Sequence, residues 1–118
     1  MPNDQMERNR RILRTLLKIY DRYVDLEFDL QLDGDFDSAY ELGRKIKKLE
    51  KKIRKLRGQM LDDWSAEVPQ MREDLQKMSN DIADAIEDIQ DDINRTRQLT
   101  AAITYLDDVV HLVSRALV

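Results

Sequence analysis

Three groups of side chains have types and spacings that could do chemistry. Asp33, Asp35 and Asp37 alternate like the first three ligands of a calcium loop. Such a loop needs Gly at its sixth position and Glu at its twelfth, and here those positions hold Ser38 and Arg44. The cluster therefore reads as a turn followed by a helix cap. His111, the only histidine, follows Asp107 and Asp108 by four and three residues. A carboxylate and a histidine at that spacing are half of a di-iron motif, and the other half needs a second histidine-bearing helix. Only a symmetric dimer could supply it, so a surface or interface histidine is the simpler reading.

The third group is Asp81, Asp84, Glu87, Asp88, Asp91 and Asp92. Carboxylates at helical spacing hold magnesium when they point inward toward other carboxylates. Here Ile82, Ile86, Ile89 and Ile93 take the inward positions, which leaves the acids on the flanks. There is no cysteine, and no serine–histidine–aspartate set, glycine-rich phosphate loop or zinc-binding helix motif. The sequence thus offers no catalytic, cofactor-binding or metal-ligating residues, and the expectation is a protein that is not an enzyme and needs no cofactor.

The elements that would have to position any site are helices. Apolar residues make up 42% of the 118 and charged residues 37%, against about 25% charged in ordinary globular domains. With three Gly and two Pro there is almost no punctuation. That combination marks long amphipathic helices in a single domain spanning 1–118, with enough apolar content to escape disorder. The N-terminal stretch is polar and arginine-rich and gives no secretory signal. The most apolar stretch, 101–118, carries Asp107, Asp108, His111 and Arg115 and makes a poor membrane span. A cytoplasmic protein is expected.

A first helix is expected over about 4–32, from Ile12, Leu16, Ile19, Tyr23, Leu26 and Leu30 on one face. Leu13, Leu17, Tyr20, Val24 and Phe28 widen that stripe, as suits a helix touching two neighbours. Gly34 ends the helix, and Ser38 with Glu41 forms a capping box for the next. The second helix, about 38–64, repeats Ala39, Leu42, Ile46, Leu49, Ile53, Leu56 and Met60 at alternating spacings of three and four, the heptad of coiled-coil packing. Gly43 and Gly58 weaken it, which implies tolerance or a neighbour's close approach.

Pro69 suits the first turn of a third helix over about 69–118, with a stutter where Ile82, Ile86, Ile89 and Ile93 break the heptad. The expected fold class is all-α: an antiparallel three-helix, coiled-coil-like bundle with a long C-terminal helix. The alternative is a four-helix bundle that turns near 94–100, where Asn94, Thr96 or Thr100 could cap a fourth helix. The aromatic residues read as core filling and bundle ends.

Two surfaces follow from this reading. Residues 41–57 hold nine basic and two acidic residues, and 70–93 hold two basic and eight acidic. As antiparallel neighbours, the second and third helices would pair these opposite charges. Lys47, Lys48, Lys51, Arg54 and Lys55 remain on outward heptad positions as a candidate anion-binding face, for nucleic acid or another anionic surface. In the three-helix arrangement the end of the long helix overhangs. Ile103, Leu106, Val109, Val110, Val113 and Leu117 would then be exposed, a candidate oligomer interface. The partner expected there is a second copy, as a homodimer, or another helical protein.

Overall fold

The computed structural model of the chain describes residues 4–58, 68–89 and 95–116. These form four helices, α1 (Asp4–Leu32), α2 (Phe36–Gly58), α3 (Val68–Asp88) and α4 (Arg95–Ala116), with no strand among the described residues. None of the described helices is long and apolar enough to cross a membrane.

The α1–α2 turn is built from three residues. Gly34 adopts a positive φ of 83°, the left-handed conformation that a side chain penalises. Its N–H donates to the Gln31 carbonyl, and the Asp35 N–H donates to the Leu30 carbonyl at 2.9 Å. Together these satisfy the last carbonyls of α1 in a Schellman arrangement. Helix α2 then begins two residues earlier than the capping box implied. Its cap is Asp35, whose Oδ1 accepts the Ser38 N–H at 3.4 Å. This use of Asp35 also removes it from any calcium loop.

The range expected to form one long helix holds two, α3 and α4, which pack against each other. Residues 90–94, including Asn94, lie outside the described residues, as do 59–67 with the expected end of the second helix, Met60 and Trp64. The physical reason for two helices is burial. An unbroken helix would leave Leu99, Leu106, Val109, Leu112 and Val113 in water, whereas here all five are buried. Burying each is worth roughly 1.5–3 kcal/mol. Helix α3 has no basic residue in its last turn to complement the dipole at its C-terminal end.

Each helix packs on two others: α1 on α2 and α3, and α4 on α2 and α3. Ile12 and Leu75 line one end of the α1–α3 groove while Leu30 and Ile89 line the other, so α1 and α3 run parallel. Basic α2 and acidic α3 make no contact among the described residues, contrary to the expected antiparallel pairing. The charges act between other neighbours instead. Arg8, Arg11, Arg14 and Lys18 of α1 share a groove with Glu73 of α3. Lys45 of α2 meets both carboxylate oxygens of Asp107 in α4 at 2.7 Å.

The core draws on all four helices in heptad spacing. In α1 the buried line starts with Asn9, one step before Ile12, and continues to Leu30. In α3 it runs Leu75, Ile82 and Ala85, continued just past the helix by Ile89, with Met78 packed against it. The stutter disappears because the small Ala85 takes the inward position and Ile86 sits beside it. In α4 the line is Leu99, Ala102, Leu106, Val109 and Val113, again with an alanine at an inward position.

Candidate functional site

The C-terminal apolar residues have partners within the chain. Leu106, Val109 and Val113 are buried in the core, and Ile103 and Val110 pack half-buried against it; Leu117 lies outside the described residues. Helix α4 packs on α2 and α3, so the described residues of the candidate interface face other helices of the same chain. His111 is exposed, and Asp107, its possible carboxylate partner, is taken by Lys45. No three His, Asp or Glu side chains among the described residues are grouped so as to hold a metal ion.

Among the described residues Tyr23 is a fully buried ionisable group. Its hydroxyl donates to the Ala102 carbonyl at 2.6 Å across the core, tying α1 to α4. Burial raises its pKa well above the ordinary phenol value, and Asp107, Asp108 and Tyr105 add to the rise. A phenol so held stays neutral and works as a structural donor.

What remains is the surface of the first hairpin. Lys47, Lys48, Lys51, Arg54 and Lys55 are all exposed, as their heptad positions implied. Arg54 pairs along its own helix with Glu50 at 2.8 Å. The unexpected feature lies beside them. Every large apolar side chain exposed among the described residues belongs to α1 or the first two turns of α2: Leu17, Val24, Phe28, Leu32, Phe36 and Tyr40. Phe36 is 67% exposed and Tyr40 72%, so these aromatic residues do not fill the core.

Spacing explains their placement. Leu17, Val24 and Phe28 lie one or two turns apart on α1, beside its buried line but outside it. Phe36 and Tyr40 lie one turn apart on α2, continued along the same side by Lys47 and Lys51. A groove of about 510 Å³ between the helices is lined by Tyr20, Val24, Phe36 and Tyr40, with Arg44 and Lys47 at its edge. Gly43 belongs to this groove: a Cβ there would stand 2.7 Å from Oε2 of Glu27, so the missing side chain makes room for the α1 carboxylate. The width of the α1 stripe did not foretell this face, since such width suits a helix with two neighbours, which α1 has.

Comparison with protein-family models, with curated proteins and with solved structures finds no match to this chain.

Proposed function

We propose that this chain is a four-helix bundle made of two hairpins, and that it is a non-catalytic assembly or adaptor protein working through helix–helix association, first of all with itself. The observation that carries this reading is the apolar face of α1 and α2, with Phe28 58% exposed and Phe36 and Tyr40 more so. Soluble monomers seldom leave so many large apolar side chains together in water. The ring of neighbour contacts around one shared core supports the bundle. The absence of cysteine suits a reducing, cytoplasmic setting. Sedimentation or light scattering at micromolar concentration tests the association. A species heavier than the 14.0 kDa chain is expected, and a monomer throughout overturns it.

The five exposed cations of α2 favour a second reading, an accessory binder of nucleic acid or another anionic surface. It expects salt-dependent binding of a DNA or RNA oligonucleotide, lost when Lys47, Lys48, Lys51 and Lys55 become Gln. Binding unchanged by those substitutions removes it.

A further inference from the structure

Within about 16 Å of the turn the two edges of the exposed hairpin face differ in charge; farther out both are basic, with Arg14 and Lys18 on α1 and Lys51 and Arg54 on α2. On α1, exposed Asp21 and Asp25 flank the line of Leu17, Val24 and Phe28. On α2, exposed Arg44 and Lys47 follow Phe36 and Tyr40. Distance from the turn can be counted at about 1.5 Å per helical residue. Asp21 lies eleven residues before Leu32, and Lys47 lies eleven after Phe36, so both stand roughly 16 Å from the turn. Asp25 and Arg44 stand roughly 10 and 12 Å from it, and Phe28 and Tyr40 both about 6 Å.

A face with matched heights and opposite edges is complementary to itself. We infer that a second copy of this chain docks on the α1–α2 face about a two-fold axis parallel to the helices, with α1 of each copy on α2 of the other. This rests on the self-association reading above and deepens it. The operation sets Asp21 against Lys47, Asp25 against Arg44 and Phe28 against Tyr40, each twice. A two-fold axis perpendicular to the helices would lay α2 on α2 and bring cation to cation, so charge selects the parallel pairing. Farther from the turn Arg14 comes level with Arg54, both about 27 Å out, and the intrahelical pairing of Arg54 with Glu50 offsets part of that repulsion.

The area is adequate. A face two helices wide is roughly 20 Å across, and α2 is about 34 Å long, giving roughly 700 Å² per copy. Stable dimers bury about 800 Å² per partner. The cations and aromatics could also meet a polyanion, but Asp21 and Asp25 on the opposite edge would repel it.

The test is a pair of edge-reversed variants, Asp21→Lys with Asp25→Lys and Arg44→Glu with Lys47→Glu, each checked for helical content by circular dichroism. All four residues are exposed, so both variants should fold. Each alone is expected to dissociate at least about tenfold more readily than the parent chain. Mixed, the two present complementary edges on both sides and should recover a one-to-one dimer. If the parent chain dimerises and either variant does so equally well, this face is overturned while self-association stands. If both variants are weakened but the mixture stays monomeric, the parallel two-fold pairing is overturned. A monomeric parent chain overturns both readings.

Discussion

The two hairpins use their apolar residues differently. The first, α1–α2, lines the core with Asn9 through Leu30 and Ala39 through Leu56, and still has six large apolar side chains exposed. The second, α3–α4, has none exposed among its described residues. Its inward positions include two alanines, Ala85 and Ala102, and its remaining aliphatic groups are half-buried against the core. Amphipathic helices in both hairpins therefore do not imply equal roles. The second hairpin completes a fold, whereas the first completes it and retains a face.

A pair of truncations would break that contrast most directly. Leu106→Ala in α4 removes a fully buried side chain and should lower the unfolding free energy by about 2–5 kcal/mol in urea titration. Leu17→Ala in α1, 40% exposed, should cost less than about 1 kcal/mol. Equal losses would mean that the hairpins are packed alike.

Tyr23 joins the hairpins and gives a sharper probe. Tyr23→Phe loses the bond to Ala102 and should cost about 1 kcal/mol. Its pH signature has a definite sign. A phenol whose folded pKa is raised contributes stability that is intact below the unfolded value, about 10, and is lost as pH rises beyond it. The parent chain should therefore lose stability above that pH more steeply than Tyr23→Phe. Parallel curves would show that the phenol is not buried in the folded state.

The smallest effects concern the turn. Gly34→Ala forces a side chain into the left-handed region and should cost about 1 kcal/mol. Gly58→Ala, with open space around its Cβ position, should instead add up to about 1 kcal/mol in thermal or urea melts. A reversed order would remove the turn as the device that closes the first hairpin.

Much of the first hairpin was legible in the sequence. Its heptad lines are made of large aliphatic residues, its turn contains Gly34, and its cations fall on outward positions. The second hairpin was harder to read for a physical reason. Alanine carries little hydrophobic signal, so Ala85 and Ala102 were passed over for Ile86 and Ile103, one residue further on. No Gly or Pro after Pro69 marks a boundary between α3 and α4. What decides it is the burial of Leu99 to Val113, a tertiary effect that local pattern does not carry. The charges misled for a related reason: opposite signs on α2 and α3 suggested neighbours, while packing made each the neighbour of α1 and α4. The exposed face was not legible: a wide stripe on α1 suits a helix with two neighbours, which α1 has, and the exposure of Leu17, Val24 and Phe28 does not follow from it.

The Tyr23–Ala102 bond has a kinetic meaning as well. It joins positions 79 residues apart, whereas α1 and α2 meet across three. Closing a short loop takes well under a microsecond, and distant contacts must await the docking of both hairpins. A bond made that late is absent from the folding transition state, so deleting it should leave the folding rate nearly unchanged and accelerate unfolding. The hydroxyl of Tyr23 then acts as a latch, governing how long the docked hairpins stay together.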